Sequence, residues 1–135
     1  MTHQWILDAA RDFRIGSAMM GSPFAQPVFP LRSAVVTLAL SLELYLKYLA
    51  ARSLGEPKPG HDLSRLYEAL PQSIRDTITR HYAHSRPIAD VLQAHKDAFV
   101  EWRYIYEKQD GSFTADIQSL RHLSDALEAT AAELR

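Results

Sequence analysis

Proline and glycine cut this chain into segments whose apolar residues recur every three to four positions, a pattern that favours helices throughout. The first segment, about 4–20, carries Ile6, Ala10, Phe13, Ser17 and Met20 at helical spacing and ends at Gly21-Ser22-Pro23. Pro23, Pro27 and Pro30 mark an irregular connection. Pro30 then opens a second helix, about 31–54, because a first-turn proline has no hydrogen bond to lose. Gly55 stops that helix, with Pro57 and Pro59 beyond it. Asp62 can cap a short third helix, 63–70, by accepting from its free first-turn amides. Pro71 begins a fourth helix, 72–84, and Pro87 a fifth, 88–108. Gln109-Asp110-Gly111-Ser112 reads as a turn. In the last helix, 115–134, Ile117, Leu120, Ser124, Leu127, Ala131 and Leu134 alternate steps of three and four, as a bundle seam does. No period-2 strand pattern stands out; Gly111-Ser112-Phe113-Thr114 comes nearest. The expected fold is all-α, an antiparallel up-and-down bundle of five or six helices forming a single domain over residues 1–135.

A chain of 135 residues can bury a core without staples. It has no cysteine, which excludes disulfides, thiolate metal sites and a cysteine nucleophile. The net charge of −1 shows none of the basic excess of non-specific DNA binders. Eleven of the 15 basic residues are arginine, so a compact RNA site stays open. Met1-Thr2-His3-Gln4 lacks the basic start and apolar run of a signal peptide. The longest apolar run, 34–51, is interrupted by Glu43 and Lys47 and flanked by Arg32 and Arg52. It reads as a core helix rather than a membrane span, and the expected location is cytoplasmic, away from membranes.

Two places put charge where a helix should be apolar. At about 100° per residue, His95, Phe99, Trp102, Arg103 and Tyr106 share one face roughly 100° wide. On the second helix, Glu43 and Lys47 fall with Val36, Ala39, Leu40, Leu46 and Ala50, while Thr37, Ser41, Tyr45, Tyr48 and Arg52 lie opposite. Tyr45, Tyr48 and Arg52, on the less apolar side, are candidates for an interface. Glu43 and Lys47 are also i,i+4 partners in the favourable order. Either Lys47 snorkels to the edge and bonds Glu43, or Glu43 meets Arg103 across two helices as a bidentate pair. Glu107, one turn after Arg103, is a rival partner. The cluster is then a structural lock or a working site, and Tyr104 and Tyr106 add hydroxyls to it. Trp102 and Phe99 are most simply core.

Six histidines call for a test of metal and acid–base chemistry. His81 and His84 can supply two ligands from one helix, but no third follows at a suitable spacing and no HExxH motif exists. His61, in Pro59-Gly60-His61-Asp62-Leu63, precedes a helix and either orients the loop or faces a cleft. His95 reads as a satisfied core histidine. A glycine-rich phosphate loop, a GxSxG turn and a paired-acid motif are all missing, so neither cofactor nor metal is expected.

Three pieces in order resemble the HEPN family of small helical domains. They are Ser41-Leu42-Glu43-Leu44-Tyr45-Leu46-Lys47-Tyr48-Leu49, Gly60-His61-Asp62-Leu63-Ser64-Arg65-Leu66, and Trp102-Arg103-Tyr104-Ile105-Tyr106-Glu107, together covering about 33–108. The resemblance implies a dimerising helical bundle. The family includes ribonucleases, toxins paired with nucleotidyltransferase antitoxins, and non-catalytic members that bind RNA or nucleotides. Its ribonucleases place a histidine four to six residues after an arginine, the histidine working at the RNA 2′-hydroxyl and the arginine on phosphate charge. Arg103 matches the arginine, but Lys108, Gln109 and Asp110 stand where the histidine belongs. Arg75 and His81 have the spacing on the preceding helix, as chance produces with this many arginines and histidines.

The expected function is a non-catalytic module, a homodimer. It would hold a nucleotide- or RNA-like ligand, or an antitoxin-like protein, in a cleft at Glu43, Lys47, His61, Arg103, Tyr104 and Tyr106. The competing expectation is a metal-independent ribonuclease of toxin–antitoxin type, with Arg103 and a histidine borrowed from elsewhere, such as His61 or His81, as its catalytic groups.

Overall fold

A computed structural model of the chain describes residues 3–21, 29–103 and 116–134, with the side chains of 101–103 excepted. The described residues form α1 (Gln4–Met19), α2 (Leu31–Leu54), α3 (Leu63–Glu68), α4 (Gln72–His81), α5 (Ile88–Ala94), α6 (Ala98–Arg103) and α7 (Ile117–Glu133). No strand occurs among them, and the fold is an all-α helical bundle.

The sequence's punctuation marks most of the ends. Pro30, Pro71 and Pro87 stand immediately before α2, α4 and α5. Asp62 caps α3 by accepting the Arg65 amide at 3.1 Å, and Asp116 caps α7 by accepting that of Ser119 at 3.0 Å.

Helix α2 is the central element. By length and composition it could cross a membrane, yet 72% of its most apolar window is buried inside the bundle. It packs against α1, α3, α6 and α7, and this corrects one expectation. Tyr45 and Tyr48, read as a candidate interface, are buried because neighbouring helices cover that side too. Arg52 alone of the three is exposed, and it donates to the Leu134 carbonyl.

Hydrogen bonds give the register. Ser41 Oγ donates to the Ala10 carbonyl and Ser17 Oγ to that of Ala34, so α1 and α2 are antiparallel. Arg11 meets Glu128 and Arg14 meets Asp125, so α1 also opposes α7. Leu42, Leu46, Leu49, Leu63, Ile78, Leu120 and Leu127 fill the core. Each such side chain contributes roughly 1.5–3 kcal/mol by leaving water. The α7 seam is buried as its spacing predicts, from Ile117 to Ala131. On α1 the buried face is Ile6, Leu7, Ala10 and Ser17, whereas Phe13 is exposed.

The helix expected over 88–108 is interrupted after Ala94, and the remainder of that range from 104 lies outside the described residues. At the break, His95 Nδ1 donates to the Val91 carbonyl at 2.8 Å and Nε2 accepts the Asp116 amide at 3.0 Å. His95 is therefore a satisfied core histidine that ties α5 to the start of α7.

Asp116 and Glu128 are both heavily hydrogen-bonded carboxylates. The Ser119 hydroxyl and amide, followed by the Arg86 guanidinium, hold the Asp116 carboxyl well below the ordinary range. Burial would raise Glu128, but hydrogen bonds from Arg11 and Tyr45 outweigh that and lower it. Depressed folded values mean that both groups stabilise the fold fully above the unfolded carboxyl range near pH 4. That stability is lost as pH falls through the folded values. Melting temperature is expected to hold down to about pH 5 and then fall, and Asp116→Asn should flatten the fall. A flat profile in the wild-type protein would contradict this.

Candidate functional site

Glu43 lies in the middle of α2 and is 3% exposed, which is costly for a carboxylate unless cations or donors meet it. Two groups do. Lys47 Nζ, one turn further along, sits 3.4 Å from Oε2, and its side chain is 20% exposed. His61 Nδ1 lies 2.7 Å from Oε1.

Local chemistry of the α2–α3 loop delivers His61 to that position. Gly60 adopts φ 101°, a left-handed backbone that side chains rarely tolerate, and turns the chain back toward α2. Asp62 then caps α3. The Leu63 amide donates to the Lys96 carbonyl at 2.8 Å, which clamps this loop to the α5–α6 turn. That clamp brings the His61 ring against Phe99 of α6, centroids 5.7 Å apart and tilted by 43°. The break in the expected long helix thus builds one wall of the site.

A carboxylate only accepts, so His61 Nδ1 must carry its hydrogen toward Glu43. Nε2 has no partner among the described residues, and the side chain is 53% exposed. The result is an imidazole held by a buried carboxylate with its other nitrogen presented outward. A cation stands beside the carboxylate and an aromatic ring beside the imidazole. A ring held this way can bond a ligand hydroxyl or phosphate, or move a proton.

Of the six residues expected to form a cleft, the structure brings together Glu43, Lys47 and His61. The Arg103 side chain, Tyr104, Tyr106 and the rival Glu107 lie outside the described residues, as does the side chain of Trp102. Phe99, read from sequence as core, packs half-buried against the cluster of Ala34, Val35, Ala39, Ala98 and Ile117, and its ring also meets His61. The other histidines are placed elsewhere. His81 Nε2 is 2.7 Å from Glu133 Oε2, while the His84 ring lies 4.8 Å from that of His122. Arg75, the other half of the chance Arg–His spacing, donates to the Leu70 carbonyl. Among the described residues, no group of three or more metal-ligating side chains converges.

Sequence reasoning missed a second polar cluster, between α1, α2 and α7. Arg11 grips Glu128 with Nε at 3.0 and 3.1 Å from its two oxygens, and the buried Tyr45 hydroxyl donates to Oε2 at 2.6 Å. Each residue follows an ordinary helical pattern, so no local signal marks the cluster.

No family model, curated protein or solved structure matches this chain.

Proposed function

We propose that this protein is a non-catalytic HEPN-like helical module, a homodimer that holds a nucleotide- or RNA-like ligand at Glu43, Lys47 and His61. One observation carries the reading: a buried carboxylate fixes a half-exposed imidazole whose outer nitrogen points away from it, beside a lysine and an aromatic ring. A nucleotide asks for these groups, since its phosphate suits the cation, its hydroxyls suit the imidazole nitrogen and its base stacks on rings. The lack of a histidine at 108–110 supports binding over cleavage.

A second reading rests on the same dyad. An imidazole oriented by a carboxylate is how a general base is commonly held, and His61 is then the borrowed histidine of a metal-independent ribonuclease.

Melting curves with AMP, ATP and a short single-stranded RNA, together with sizing and an RNA-cleavage assay, test both. We expect a dimer mass and a melting temperature raised by at least one of these probes. His61→Ala and Lys47→Met should each abolish the rise in protein that still melts cooperatively, at a lower unliganded temperature because each leaves the buried Glu43 with one partner fewer. A monomer that responds to none of the three probes sinks the binding proposal. Cleavage that disappears in His61→Ala replaces it with the second reading.

A further inference from the structure

His95 closes α5 and is 5% exposed. An imidazole is a costly way to fill an interior unless its nitrogens are bonded, and here both are. The Val91 carbonyl only accepts, so Nδ1 carries the hydrogen and Nε2 takes the Asp116 amide. The two bonds are not equivalent. Val91 also receives the His95 main-chain amide at 3.1 Å, so its carbonyl is satisfied without the side chain. The bond to Asp116 spans 21 residues and fastens the α5–α6 turn to the start of α7.

That turn carries two walls of the Glu43–His61 site. Lys96, the next residue, gives its carbonyl to the Leu63 amide, two residues from His61. Ala98 joins α6 to Ala34, Val35 and Ala39 of α2, and Phe99 meets the His61 ring with centroids 5.7 Å apart. The loop that delivers His61 and the ring that faces it are therefore both attached to the segment His95 holds. An apolar side chain would fill the same space, but only a bonded one fixes a direction.

We infer that His95 is a positioning residue for the Glu43–His61 site. Its Nε2 bond to the Asp116 amide fixes the α5–α6 turn, and the turn fixes the orientation of the His61 ring. The inference rests on the proposed reading for the site's ligand, but not for its geometry.

The His61 ring itself reports the outcome. In ligand-free protein at alkaline pH, long-range proton–nitrogen NMR should show its hydrogen on Nδ1, as the bond to Glu43 requires, whereas a released ring populates both tautomers. His95→Leu removes both bonds of His95. His95→Asn keeps a donor toward Val91 but falls short of Asp116, and His95→Gln keeps an acceptor at the reach of Nε2. We expect the fixed Nδ1–H tautomer to be lost in His95→Leu and His95→Asn and kept in His95→Gln. Whichever of AMP, ATP and the short RNA binds the wild type should bind the first two variants about tenfold more weakly. Ile78→Ala empties core on α4, away from this loop, and should lower the melting temperature while keeping the tautomer. The inference is overturned if the wild-type ring lacks the fixed tautomer or if His95→Leu retains it. It is also overturned if His95→Gln or Ile78→Ala loses it as His95→Leu does. Wild-type His61 signals unmoved by all three probes remove the ligand reading instead, and the variants still decide the positioning.

Discussion

Glu43→Ala is expected to cost this protein about 3–5 kcal/mol. The substitution removes a buried carboxylate, leaves Lys47 largely buried without its counter-charge, and releases His61 from a 2.7 Å hydrogen bond. A domain of this size has roughly 5–15 kcal/mol in total, so a drop in melting temperature on the order of 10 °C should be seen. Replacing both charges together, Glu43→Leu with Lys47→Met, separates stability from function. Replacing a buried ion pair by apolar residues of similar volume is often near neutral, because the desolvation cost of both charges disappears with them. The double variant should therefore melt within about 1–2 kcal/mol of wild type while losing any ligand that depends on Lys47 and an oriented His61. If Glu43→Ala melts like the wild-type protein, the carboxylate is not the buried anchor described above. If the double variant retains ligand binding, the ligand needs neither Lys47 nor a carboxylate behind His61.

Helix positions were legible from local features, because prolines at 30, 71 and 87, Gly55 and the Asp62 cap act through neighbouring backbone. The burial of Glu43 was legible too, from its place among aliphatics on α2. Its partner was not. Periodicity gives the direction of a side chain about its own helix axis, but the distance from Glu43 to His61 depends on how an intervening loop folds. That loop is held by the Leu63–Lys96 bond, which exists only because the chain leaves the helix after Ala94. No proline or glycine announces that departure. His95 makes it by bonding back to Val91 and across to Asp116, a contact of long sequence separation. The tyrosines were misplaced for a related reason: a less apolar side suggests solvent for a surface helix, but α2 is surrounded. Tyr45 enters the core because its hydroxyl finds an acceptor on α7, 83 residues away.

That acceptor makes Tyr45 the position where the other large effect is expected. Burial first, and then the adjacent Glu128 carboxylate, push its phenol well above the ordinary range, so it stays protonated and remains a donor throughout the folded pH range. Tyr45→Phe keeps the ring and removes only the donor. Glu128 retains Arg11 and partial solvent access, so the expected cost is about 1.5–3 kcal/mol. Tyr45→Ala also empties the ring's volume at a site with no solvent exposure, and should cost roughly 3–5 kcal/mol for the cavity in addition. The hydroxyl's share can be isolated by a double-mutant cycle of Tyr45→Phe with Glu128→Gln, read by urea denaturation. Because the two groups are in direct contact, their costs should fail to add by about 0.5–3 kcal/mol. Additive costs would mean that the 2.6 Å hydrogen bond contributes nothing net, and that Tyr45 holds α2 to α7 through its ring alone.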